Sequence, residues 1–123
     1  MNAVAWFEIY VDDIARAKAF YEAVLATKLE KLQAPAEEFE MWQFPSNMDA
    51  HGSSGALVKM SEMKAGGNST VVYFACEDCG VEASRVNASG GELLNDKMSI
   101  GEYGFVAHAK DSEGNMIGFH SMQ

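Results

Sequence analysis

The sequence predicts an α+β fold in which one structural unit is used twice, and three observations carry that prediction. Trp6-Phe7-Glu8-Ile9-Tyr10-Val11 runs into Asp12-Asp13 and a helix-like stretch, 14–26; later Val71-Val72-Tyr73-Phe74-Ala75-Cys76 runs into Glu77-Asp78 and a second such stretch, 79–88. Each half then closes on a glycine-containing strand, Gly55-Ala56-Leu57-Val58 and Gly118-Phe119-His120-Ser121. Between these lie short strand-like runs set apart by turn residues, so each half reads strand, helix, three strands.

Residues 3–11 form the first strand, with Trp6, Glu8 and Tyr10 on one face and Phe7, Ile9 and Val11 on the other. Asp12 or Asp13 supplies the helix N-cap, because a carboxylate accepts from the orphan amides of the first turn. Ile14, Ala17, Tyr21, Val24 and Leu25 then recur at helical spacing and make one apolar stripe. Strands are expected at 28–33, 39–44 and 55–60, with a turn-rich loop over 45–54 that contains His51. Lys64-Ala65-Gly66-Gly67-Asn68-Ser69 is a short linker, which divides one domain into modules at about 1–64 and 69–123. The second half repeats the order: a strand at 70–76, a helix at 79–88 ended by Ser89-Gly90-Gly91, and strands at 92–99, 103–110 and 116–121. Asp111-Ser112-Glu113-Gly114-Asn115 is the turn between the last two, with Gly114 and Asn115 both able to take positive φ.

The 123 residues, 48% hydrophobic and 22% charged, suffice for one ordinary globular core. Nine basic against eighteen acidic residues give a net charge of −9, which argues against nucleic acid or an anionic membrane as partner. The sequence shows no apolar run of membrane-spanning length and no signal-peptide pattern, so a cytoplasmic protein is expected. Cys76-Glu77-Asp78-Cys79 has the spacing of a redox pair and stands where a strand meets a helix. The same residues also read as ordinary packing at a strand end and a helix start. A structural zinc site would need a second such pair, which the sequence lacks.

The segment Val11-Asp12-Asp13-Ile14-Ala15-Arg16-Ala17-Lys18-Ala19-Phe20-Tyr21, the closing Asp111-Ser112-Glu113-Gly114-Asn115-Met116-Ile117-Gly118 and the paired βαβββ units resemble the vicinal oxygen chelate superfamily. That group includes glyoxalase I, bleomycin-resistance proteins and extradiol dioxygenases. The resemblance implies two βαβββ modules forming a curved, eight-stranded, mixed half-barrel sheet with helices outside, and pairing into homodimers. It also implies a divalent-metal site from the first and last strands of each module. The matching positions here are Trp6, Gly55, Val71 and Gly118, none of which offers a side-chain metal ligand. The resemblance therefore predicts the fold without the usual metal, and no cofactor is expected.

One step along the same strand faces stand Glu8, Leu57, Tyr73 and His120. Glu8 and His120 are the expected acid–base pair, with Tyr73 donating to a substrate oxygen; the competing reading is a buried Glu–His contact that only satisfies both groups. Trp6, Tyr10, Gly55, Leu57, Gly118 and Gln43 are expected to line the ligand cavity. A displaced metal at Glu8 and His120 would need a further donor from His51, His108 or water. Two functional readings follow. One is a metal-independent enzyme acting on a small, partly apolar molecule; the other is a non-catalytic protein that sequesters such a ligand, as the bleomycin-resistance branch does. A domain retained only for interaction is a third.

Overall fold

A computed structural model of the chain describes residues 3–33 and 39–123. In chain order the elements are β1 (Phe7–Tyr10), α1 (Ile14–Val24), β2 (Glu30–Leu32), β3 (Glu40–Gln43), β4 (Gly55–Lys59), β5 (Val72–Ala75), α2 (Cys79–Arg85), β6 (Glu92–Ser99), β7 (Phe105–Lys110) and β8 (Met116–Ser121). This is the expected α+β pattern of strand, helix and three strands, twice. The strands form two four-stranded sheets, ordered β1-β4-β3-β2 and β5-β8-β7-β6. In each, the first and last strands of the unit pair in parallel and the other pairs are antiparallel. Parallel pairing of β1 with β4 requires a long crossover, which α1, β2 and β3 provide.

The sheet differs in one respect from the expected continuous one. Among the described residues no backbone hydrogen bond joins β1 to β5. The seam is closed by rings instead: Phe7 meets Phe74 edge-on, with centroids 6.0 Å apart. Phe44 packs on both, at 5.6 Å and 5.5 Å, and Tyr21 from α1 packs on Phe44 and Phe74 at 5.5 Å and 5.7 Å. These offset and edge contacts suit the ring quadrupole, and they merge the two sheets into one core.

Local signals explain the helices. Asp13 is the N-cap of α1 and accepts from the Arg16 amide at 3.1 Å. Ala17, Phe20, Tyr21 and Val24 form its buried face. Asp78 caps α2 by accepting from the Gly80 amide, and α2 is shorter than expected, giving way to a 3-10 turn at Asn87–Ser89. Gly90 ends that turn in the left-handed region, as its position predicts. In the β7–β8 turn Gly114 takes positive φ and Asn115 does not.

That turn does more than reverse the chain. The buried Asp111 carboxylate accepts from the amides of Glu113 (2.8 Å) and Asn115 (2.9 Å) and from the Tyr21 hydroxyl (2.5 Å). The Asn115 side chain donates to the Tyr10 carbonyl and accepts from the Gly66 amide. Glu113 reaches the start of α1, accepting from the amides of Asp12 (3.1 Å) and Asp13 (2.9 Å) and from Arg16 through both Nε (2.6 Å) and Nη2 (2.9 Å). A carboxylate there complements the positive end of the helix. Arg85 of α2 answers at the other end of α1, donating to the Val24 carbonyl at 3.0 Å.

Burial pushes the Glu113 carboxyl up, but the Arg16 guanidinium, the Asp13 amide and the Ser112 hydroxyl outweigh it and hold the group down to about 2, against an ordinary 4.5. A carboxyl lower in the folded state stabilises it above the unfolded value, and that contribution is lost as pH falls from about 4.5 towards about 2. Glu113→Gln is expected to cost about 2 kcal/mol at neutral pH, after allowing for the exposed Arg16. It should also flatten the acid limb of stability. Urea unfolding of both proteins across that pH range measures this, and parallel acid limbs would contradict it.

Candidate functional site

Strand register assigns the open face of each sheet. In the second sheet Tyr73, Gly118, His108 and Asn95 stand in one row across β5, β8, β7 and β6, and Ala75, His120, Val106 and Met98 stand in the next. In the first sheet the equivalent rows are Glu8, Ala56, Gln43, Glu30 and Tyr10, Val58, Met41, Leu32. The opposite faces carry Phe7, Ile9, Leu57, Phe74, Ala107 and Phe119, which pack in the core.

This register corrects two expected positions. Gly55 pairs with Phe7 and Leu57 with Ile9, so both lie on the helix-facing side and neither lines the open face. Leu57 is fully buried. The residue equivalent to Gly118 is Ala56, and the one equivalent to His120 is Val58. The two glycines match as letters but do different work. A side chain at Gly55 would strike the Phe7 ring and carbonyl on the core side, whereas one at Gly118 would strike the Tyr73 ring on the open side. With Ala56 in place of Gly55, the positions that hold metal in the resembled family are Trp6, Ala56, Val71 and Gly118, still without a donor side chain. Among the described residues no group of three or more His, Cys, Asp and Glu side chains is placed to hold a metal ion.

The bare Gly118 backbone lets the Tyr73 ring lie across β8 and reach β7. Its hydroxyl meets His108 Nε2 at 2.7 Å, and His108 Nδ1 meets the Asn95 amide, 3.2 Å from Oδ1 and 3.0 Å from Nδ2. Tyr73 nevertheless remains 49% exposed. Asn95 is the member that sequence reasoning missed, and His108 was considered there only as a further metal donor. The signal for His108 was present in β7: Ala107 and Ala109 are small and buried, so the residue between them must face the other way.

On β1, Glu8 is exposed and held from both sides. Trp6 Nε1 donates to one oxygen at 3.3 Å and the Tyr10 hydroxyl to the other at 2.7 Å. The bond to Glu8, partial burial and the Glu8 charge together raise the Tyr10 phenol above its ordinary value. His120 does not join them. Its Nε2 lies 2.7 Å from the Tyr103 carbonyl, which can only accept, so that nitrogen carries the proton. Glu8 and His120 are therefore each satisfied locally on separate sheets, and the expected Glu–His pair is not assembled within the chain.

Two clefts run along the seam. One, of about 550 Å³, is bounded by Trp6, Phe7, His51, Ser53, Val71 and Tyr73. The other, of about 340 Å³, is bounded by Glu8, Tyr10, Met63, Lys64, Asn68 and Val72. The Trp6–Glu8 bond links their walls. His51 thus joins Trp6 and Tyr73 through the loop that carries it. Gln43 stands apart, beside a small recess with Lys28, Glu30 and Ser46. Cys76 and Cys79 are free thiols. Burial first, and then the charge and hydrogen bond of Glu82, push the Cys76 thiol up to about 12, which disfavours the thiolate that redox or nucleophilic chemistry needs.

Gly118→Ala is expected to push the Tyr73 ring off His108 at a cost of about 1–3 kcal/mol. Thermal unfolding and the imidazole resonances of His108 report the two effects; an unchanged His108 environment would contradict the packing argument.

Comparisons with known proteins agree with this geometry. Residues 4–33 match the family described as bleomycin resistance protein-like N-terminal. No curated protein matches the chain in sequence. Among solved structures, a glyoxalase/bleomycin resistance protein from Streptomyces sp. CB03234 is 23% identical, with 97% of this chain and 100% of that one covered and a TM-score of 0.68. A glyoxalase-related enzyme from Fulvimarina pelagi is 15% identical over 98% and 88%, with a TM-score of 0.72. Glyoxalase I from Zea mays is 18% identical with a TM-score of 0.74; 96% of this chain is covered, but it spans only 45% of the maize enzyme. These likenesses show that the chain has the fold of the glyoxalase and bleomycin-resistance proteins, built from two βαβββ units.

Proposed function

We propose that this protein binds a small, partly apolar organic molecule along the seam between its sheets, and does so without the divalent metal of its structural relatives. The observation that carries this reading is the pair of rings at the edge of the larger cleft. Trp6 stands at a position that holds metal in the resembled family, and Tyr73 covers another, Gly118. An apolar cleft with a few convergent polar groups is the usual form of a small-molecule site. Tyr73 and His51 supply those groups in the larger cleft, and Glu8 in the smaller one beside it. Glu8 is fixed by two donors yet remains exposed, so its remaining lone pairs can accept from a ligand.

A catalytic role is favoured over sequestration by Tyr73, whose hydroxyl is bonded to an imidazole. The two free thiols suit a reducing, cytoplasmic compartment.

Ligand-observed NMR with a panel of small aromatic acids, amides and amines tests the binding site. Compounds that bind the natural chain should bind Trp6→Ala about tenfold more weakly, since a lost aromatic wall is worth on the order of 1.4 kcal/mol. Glu8→Gln should weaken those that carry a donor group while leaving the thermal midpoint nearly unchanged. Equal affinities in all three proteins would remove the seam as the site.

A further inference from the structure

We propose that Tyr73 is the acid–base residue of the open face, that His108 is its proton partner, and that Asn95 positions the imidazole. The proposal rests on the reading that this face takes a small ligand, and it names the group that does chemistry there. Glu8 and His120 are not bonded to each other: each has its own neighbours. Tyr73 differs. Its side chain is half exposed, and its oxygen lies within 2.7 Å of an imidazole nitrogen.

The three side chains span the sheet in one row, so the ladder itself fixes their spacing. Tyr73 on β5 and His108 on β7 are two strand separations apart, about 10 Å between backbones, and an intervening side chain at β8 would block them. Gly118 occupies that place. Asn95 can accept from Nδ1–H through Oδ1 or donate to a bare Nδ1 through Nδ2. We assign the tautomer in which Oδ1 accepts from Nδ1–H at 3.2 Å, which leaves Nε2 to accept from the Tyr73 hydroxyl at 2.7 Å. This tautomer makes His108 a base towards Tyr73.

The proton balance is simple. As Tyr73 takes a proton from a ligand O–H, N–H or activated C–H, its own phenolic proton passes to His108 Nε2. One bond to hydrogen breaks at the ligand and one at Tyr73, one forms at each acceptor, and the products are a ligand anion and an imidazolium. The reverse sequence returns the proton. No oxidant, reductant or metal takes part. The ligand class is thus a molecule with an exchangeable or carbonyl-activated proton presented to the phenol oxygen.

An aryl sulfonyl fluoride probe tests this without knowledge of the ligand. The phenol oxygen attacks sulfur, an O–S bond forms, fluoride leaves, and the phenolic proton passes to the base. Tyr103 is the internal control: it is more exposed, at 68%, and its hydroxyl has no hydrogen bond among the described residues. Peptide mapping should show Tyr73 labelled about a hundredfold faster than Tyr103 or more, the low end of general-base assistance. His108→Phe should bring Tyr73 down to the Tyr103 rate. Asn95→Ala should shift the His108 tautomer away from Nδ1–H in nitrogen-15 NMR, a change that a purely structural role would not produce. If His108→Phe does not fold, the ratio in the natural chain and the Asn95→Ala spectrum decide. Tyr73 labelled no faster than Tyr103, or an unaltered tautomer, overturns the proposal. A panel in which no compound binds would instead defeat the binding reading, and the labelling ratio reads separately from it.

Discussion

The turn that joins β7 to β8 is the constraint on which the rest of the structure depends. Three polar side chains, Asp111, Glu113 and Asn115, leave the second sheet and satisfy groups of the first unit: the Tyr21 hydroxyl, the amides that open α1, and the Tyr10 carbonyl. Hydrogen bonds to charged groups contribute about 1.5–3 kcal/mol each, more than neutral ones. They act here where the sheets have no shared ladder. The apolar contacts at the seam are rings that could slide; the turn fixes their register. Since Asn115 holds the backbone at Tyr10, it also fixes where Glu8 and Trp6 stand relative to β5.

Two glycines then divide the work of the sheets. Gly55 admits Phe7 to the core, and so helps close the seam between units. Gly118 admits Tyr73 to the open face, and so creates a contact between strands that are not neighbours. The same absence of a side chain gives packing in one sheet and a polar row in the other. A duplicated unit can in this way keep its architecture while its halves diverge in chemistry.

Much of this was legible in the sequence, for definite reasons. The α1 stripe, the Asp13 cap and the bounds of β6 and β8 follow from periodicity and local hydrogen bonding, which act over a few residues. The equivalence of Gly55 and Gly118 was wrong by one residue. In a strand one residue exchanges the faces, and Leu57 moved from cavity to core with it. Glu8 and His120 are not hydrogen-bonded to each other, because each finds a partner that strand alternation cannot show. For His120 that partner is the carbonyl of Tyr103, brought in by a 3-10 turn at Gly101–Tyr103 and the positive φ of Gly104. His108 was within reach of sequence reasoning through its alanine neighbours, but its bond to Tyr73 depends on three strands in register.

The central proposal is that aromatic and tyrosyl groups stand where the resembled superfamily places a metal, and that ligand binding proceeds through them. The most direct measurement follows the Trp6 indole N–H and the Tyr73 ring by NMR while a bound compound is titrated into protein first stripped with a chelator and then supplied with zinc, nickel or manganese. Shifts at both residues, with one affinity throughout, are the predicted result. Binding that disappears on stripping and returns only with a divalent ion would contradict the account.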